Sequence, residues 1–272
     1  MLRKMLKHDM RAMWHTAMPM LLVTGIVSVI CCGMLYFTFS FAENAESLFG
    51  ALALVGSFYV IGVCAVFTLP VIIGVFVLVR YYKSLFSDEG YLTMVLPMES
   101  TTLINEKILY TLIWWGISAA SVMVGIFVSI ILPIMLYDGE MLISVFEFIK
   151  SFFAMFIEPG YDTAVSILNV FVIAARCVEN AVLTVAAITV GAMVMKKRKL
   201  LGAFLFYFGI TFVRENVITI VESVADIVLV KVTESSLGIV LALIFSLSIS
   251  VAITLASYFV MRNVFTKKFN IE

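Results

Sequence analysis

Six uninterrupted apolar runs, at residues 18–41, 52–79, 109–137, 164–195, 200–221 and 237–261, constrain the fold more than any other feature of this chain. A helix rises 1.5 Å per residue, so about 20 residues cross the roughly 30 Å hydrocarbon core of a bilayer, and each run is long enough to do so. Val and Ile are common in them and favour strands in water. The runs are nevertheless continuous rather than alternating with period two, and a lone strand in lipid would leave its backbone N–H and C=O groups unpaired. The predicted fold class is all-α: a polytopic membrane protein with six transmembrane helices, one membrane unit over residues 1–272. Composition agrees, since 63% of the residues are hydrophobic and 13% charged, against about 45–50% and about 25% in a soluble domain. Charge is too scarce to cover a water-facing surface. A soluble enzyme, a nucleic-acid binder and a disordered scaffold are thereby excluded, and a net charge of zero gives no attraction to nucleic acid.

Basic residues set the expected orientation. Arg3, Lys4, Lys7 and Arg11 precede the first run, and Arg80, Lys83 and Lys107 follow the second. Lys196, Lys197, Arg198 and Lys199 follow the fourth, and Arg262, Lys267 and Lys268 follow the last. Of the 18 basic residues, only Lys150, Lys231 and the intraspan Arg176 and Arg214 lie elsewhere. Lys and Arg are retained in cytoplasmic loops, which predicts a multi-pass protein of the cell membrane with both termini cytoplasmic. Ahead of the first run, Leu2, Met5, Leu6, Met10, Met13 and Trp14 recur at helical spacing opposite the basic residues. That pattern predicts an interfacial helix over residues 1–15, lying on the membrane before the chain turns in. The first run is too long for a secretory signal. On the outer side, residues 138–162 form the longest connection, whose Met141, Leu142, Val145, Phe146, Phe148, Ile149, Phe152, Phe153 and Phe156 predict a largely apolar, amphipathic helix ended by Pro159-Gly160. It is either a lid over a path or a packed loop. Cys31, Cys32, Cys64 and Cys177 all fall in apolar runs and read as small buried hydrophobes, not as a disulfide framework.

Chemistry of its own is not expected of this chain. A phosphate loop needs Gly-Lys before Ser or Thr, and no Gly here is followed by Lys. His8 and His15 stand outside any H-E-x-x-H pattern, no G-x-S-x-G turn is present, and no span pairs Asp or Ser with His. No catalytic residue, no metal site and no resident cofactor is predicted.

The connection after the second run carries the most functional information. A turn at Asp88-Glu89-Gly90 is followed by the apolar Tyr91, Leu92, Met94, Val95 and Leu96, ended by Pro97. Ser100 or Thr101 can then cap the next helix, with Asn105 or Glu106 in its first turns. Exposed apolar surface on a short helix between two spans suggests a docking knob. The whole cytoplasmic segment, 80–107, resembles that of the permease subunits of type 2 ATP-binding-cassette (ABC) exporters. In that family an acidic residue, Gly, a short apolar stretch, a Leu-Pro or Ser-Pro pair, a Ser/Thr-rich turn and a Lys occur in this order. The matching positions are Glu89, Gly90, Tyr91 to Val95, Leu96-Pro97, Ser100-Thr101-Thr102 and Lys107. Glu106 departs from the pattern, since the family commonly has Gly before the Lys. The resemblance implies a permease moving substrate out of the cytoplasm by alternating access. It implies that Asp88, Glu89, Gly90, Tyr91, Leu92, Leu96 and Pro97 dock a separate cytoplasmic ABC ATPase subunit, which binds the ATP and Mg. A second permease copy or paralogue would complete a dimer.

Charges inside the runs mark a second candidate site. Arg176 and Glu179 lie in the fourth run, and Arg214 and Glu215 in the fifth. At depth a charge costs at least about 2.5–3.5 kcal/mol, so it meets a partner or a wet cavity. Helical rise places Glu179 about 24 Å and Arg214 about 21 Å from the shared cytoplasmic end, so the two can meet. Arg176, three residues from Glu179, shares its face. The four form either a polar clasp between helices or the lining of a path. Ala242, Ser246, Ser250 and Thr254, every fourth residue of the last run, form a small and hydroxyl stripe suited to helix packing, as do Ser121 with Gly125 and Ala187 with Gly191. Pro70 with Gly74 predicts a kink in the second span. Beside the exporter permease stand two other functions, a membrane sensor or assembly subunit recruiting a cytoplasmic partner, and a secondary carrier coupled to ions through these charges.

Overall fold

A computed structural model describes residues 2–41, 45–86, 100–137, 143, 147, 150, 161–194, 199–233 and 236–269. Every described residue is helical, with six helices long and apolar enough to cross a membrane. We label them α1 (Leu2–Phe41), α2 (Ala45–Phe86), α3 (Ser100–Ile126), α4 (Leu132–Tyr137), α5 (Tyr161–Val194), α6 (Lys199–Thr233) and α7 (Ser236–Phe269). A π-helical turn, Phe127–Ile131, joins α3 to α4 into one span. The protein is therefore an all-α membrane protein of six spans. From the connection expected to carry an amphipathic helix, Ile143, Glu147 and Lys150 are helical and exposed; its other positions up to Gly160 lie outside the described residues.

Helix α1 differs from expectation. No turn separates residues 2–15 from the span; the 40 residues form one helix, about 60 Å long and twice the hydrocarbon thickness. Nothing between Arg11 and Met18 breaks a helix, and α1 continues through Pro19. Helix α6 likewise runs on to Thr233, past the end of its apolar run. Glu is a good helix former, and no Gly or Pro intervenes.

The chain divides into two compact units, with the divide falling inside α1, α2 and α3. One comprises Lys7–Val77 and Ile113–Phe152. Its helices approach at glycines: a Cβ on Gly62 of α2 would run into Cys31 Sγ of α1, and one on Gly125 of α3 into Val66 Cγ1 of α2. Small residues allow this closeness. Hydroxyls turn back on their own helices, as Ser28 Oγ does by donating to Thr24 O at 2.7 Å. Among the described residues no ion pair joins these helices. Helix α2 passes through the buried Pro70 without interruption. A π-helical irregularity lies just ahead of Pro133. Its ring has no N–H for the carbonyl of Ser129, and the backbone widens into the π-turn just ahead, closed by Leu132 N–H donating to Phe127 O. Tyr59 Oη of α2 donates to the orphaned Ser129 O at 3.3 Å.

The other unit comprises Met1–Leu6, Leu78–Leu112 and Phe153–Glu272. Within it α5, α6 and α7 pack pairwise against one another. Helix α5 is the core: 67% of its most apolar stretch is buried, against at most 22% in any other span. Ala181 to Thr189 are buried without a gap. Near the α5–α6 connection a Cβ on Gly191 would meet Gly202 O at 2.6 Å and Ala203 Cα at 2.9 Å, so backbone touches backbone.

Four free cysteines are present. Cys31 is buried as expected. Cys64 and Cys177 are instead exposed on the helix surfaces, where they face the surrounding medium rather than the core.

Candidate functional site

Helix α5 sits at the centre of its unit, so a charged side chain on it must find a partner on α6 or α7. Glu179 is fully buried and accepts from Arg214 Nε of α6 at 2.9 Å. Arg214, whose side chain is 9% exposed, also donates through Nη1 to Glu215, itself 58% exposed. The predicted meeting of Glu179 and Arg214 is present, with Glu215 as the outer member. Two carboxylates share one guanidinium, and Glu179 Oε2 has no hydrogen-bond partner among the described residues.

Arg176 behaves differently from expectation. It does not pair with its neighbour Glu179 but donates through Nη2 to Glu222 of α6 and, at 2.9 Å, to Ser246 Oγ of α7. Ser246 Oγ in turn donates to Glu222 Oε1 at 2.7 Å. The hydroxyl accepts from the cation and donates to the anion, closing a triangle across three helices. The reason is directional. Helical side chains lean toward their own N-terminus, so Arg176 leans away from Glu179 and toward the end where α5 begins and α6 finishes. Glu222 waits there. Arg176 is 40% and Glu222 25% exposed, so this cluster is half open where the Glu179–Arg214 contact is closed.

The last-span stripe divides between these roles. Ser246 and Ser250 are buried, Thr254 Oγ1 donates to Ser250 O of its own helix at 2.7 Å, and Ala242 lines a cavity beside Arg176. Ser246 is thus a polar ligand as well as a packing residue. Glu222 is absent from the sequence-based site because it falls one residue past the apolar run. The signal for it is the stripe Arg214, Ile218, Glu222, every fourth residue of one helix face, with Ile218 buried in the middle.

A third polar group lies where α2 ends and α3 begins. Lys107 Nζ and Glu106 Oε2 are 3.1 Å apart with both side chains buried, at the start of α3. Tyr81 of α2 is buried, and its hydroxyl lies 2.6 Å from Thr189 Oγ1 of α5. Both hydroxyls also reach Val185 O, Thr189 Oγ1 at 2.7 Å and Tyr81 Oη at 3.4 Å. Tyr258 Oη of α7 donates to Asn105 Oδ1 at 3.3 Å. The docking residues Asp88, Glu89, Gly90, Tyr91, Leu92, Leu96 and Pro97 lie outside the described residues; their flanks, Phe86 and Ser100, end α2 and start α3. Among the described residues no group of His, Cys, Asp and Glu could hold a metal ion.

Comparison with family models, with curated proteins and with solved structures finds no match to this chain.

Proposed function

We propose that this chain is the membrane-spanning permease subunit of an ATP-driven exporter, powered by a separate cytoplasmic ABC ATPase that holds the ATP and Mg. Both termini and the 87–99 connection face the cytoplasm of the cell membrane, following the distribution of Lys and Arg. A second copy or a paralogue completes the pathway. The resemblance over residues 80–107 supports this reading. One structural observation carries it further: the Tyr81–Thr189 hydrogen bond ties the end of α2, next to the docking segment, to α5. Helix α5 bears Arg176 and Glu179. A push on the segment at 88–97 therefore moves α2 and, through Tyr81, the helix on which both ion-pair clusters stand. Transport then needs the clusters to exchange partners or to open, a change between two discrete arrangements of packed helices.

Affinity purification of the full chain from its native membrane tests the proposal. A phosphate-loop ATPase should co-purify in stoichiometric amount, and deletion of residues 88–96 should abolish its retention. In the complex, Tyr81→Phe should keep the ATPase bound but lower the stimulation of its ATP hydrolysis by the permease. Sustained ATP hydrolysis by this chain alone, or ATPase retention that survives the deletion, overturns the assignment.

A further inference from the structure

Beside the Arg176–Glu222–Ser246 triangle lies a cavity of about 200 Å³, lined also by Asn169, Ala242 and Val172. Its size decides what can fill it. A single water needs roughly 10–15 Å³ on this measure, and drug-sized ligands occupy roughly 300–1,000 Å³. The cavity is therefore too large for one water and too small for a drug-sized molecule. A small polar group fits.

The lining is chemically two-sided. Arg176 uses only Nη2 for Glu222 and Ser246, so Nε and Nη1 are open donors among the described residues on a side chain that is 40% exposed. Glu222 receives both its bonds on Oε1, which leaves Oε2 as an open acceptor among the described residues. Asn169 adds an exposed amide two turns before Arg176. Together these groups present a cation and an anion side by side with no net charge. A simple anion would face Glu222 and a simple cation would face Arg176; a zwitterion satisfies both.

Depth selects the source of that zwitterion. By helical rise Asn169 is about 8 Å from the start of its apolar run at residue 164, and Glu222 lies one residue past the end of its own at residue 221. Arg176 lies deeper but leans toward the same end. The cavity thus opens at the level of lipid headgroups. We infer that it is a binding site for the phosphoethanolamine headgroup of a membrane phospholipid, with the phosphate accepting from Nη1 of Arg176 and the ammonium on Glu222 Oε2 and Asn169. A choline headgroup has no N–H to donate. A glycerol headgroup leaves Glu222 opposite an uncompensated phosphate. The inference rests on the membrane fold and not on the exporter reading, so either can fail without the other.

Native mass spectrometry of the full chain, stripped of lipid in detergent and titrated with phosphatidylethanolamine, phosphatidylcholine or phosphatidylglycerol, tests the site. A charge-assisted hydrogen bond lost with choline corresponds to about tenfold weaker retention. The wild type should therefore hold phosphatidylethanolamine about tenfold better than either other lipid, and better than free phosphoethanolamine. Glu222→Gln should abolish the preference over phosphatidylcholine and favour phosphatidylglycerol, because Arg176 is then unopposed. Ala242→Leu, which fills the cavity without removing either charge, should lower retention of phosphatidylethanolamine to the level of the other lipids and guards against a variant that merely misfolds. Equal retention of the three lipids by the wild type overturns the site, as does a preference that survives both substitutions. Equal binding of free phosphoethanolamine overturns the lipid source.

Discussion

Where α1, α2 and α3 meet, their packing relies on absence: Gly62 and Gly125 bring backbones close, and hydroxyls such as Ser28 return to their own carbonyls. Where α5, α6 and α7 meet, glycine still opens one approach at Gly191, but the helices are also joined by two ion-pair clusters. Lipid gives no hydrophobic drive for helices to associate, so either route must come from close packing or polar bonds. Close packing by small residues has one good arrangement. Ion pairs shared among three helices can be remade with other partners.

The largest effect should come from the closed cluster. Glu179→Ala leaves the guanidinium of Arg214 with only the exposed Glu215, and breaking a buried pair this way costs about 3–5 kcal/mol. Thermal unfolding in detergent should show it as the most damaging of these substitutions, with α5 and α6 separating first. Next come the glycines. Gly191→Ala drives a methyl into the backbone of α6 and should cost about 1–3 kcal/mol, while Gly125→Ala meets a Val66 side chain that can shift and should cost less. Equal losses would mean that both approaches are equally rigid. Tyr59→Phe removes the donor from Ser129 O beside the π-turn and should cost about 0.5–1.5 kcal/mol by the same assay. Arg176→Gln should change stability least, by about 0.2–1 kcal/mol, because its half-open pair already competes with solvent or lipid headgroups. A loss as large as that of Glu179→Ala would show the two clusters to be equivalent.

All six spans were legible because lipid demands length and apolarity, and both are printed in the sequence. Helix ends were less so: α1 and α6 extend well past their apolar runs, since a helix ends on backbone signals and not where hydropathy falls. That distinction hid Glu222. The Glu179–Arg214 pair could be found by counting rise from a shared end. The partner of Arg176 could not, because the lean of a side chain along its helix, and not the spacing of charges on one face, sends it to Glu222. Only the fold buries Lys107 against Glu106.

Pairing of Glu179 with Arg214 as one buried unit holding α5 to α6 is the premise on which the contrast between the two helix sets stands. A double-mutant cycle measures it most directly, using Glu179→Gln, Arg214→Gln and the combined variant, with melting of the purified chain as the readout. Arg214→Gln strands the buried Glu179 and Glu179→Gln leaves Arg214 only the exposed Glu215, whereas the double change removes both charges and leaves two amides able to bond each other. The doubly neutral protein should melt above both single variants. Losses that simply add would contradict the pairing and leave the two charges acting independently.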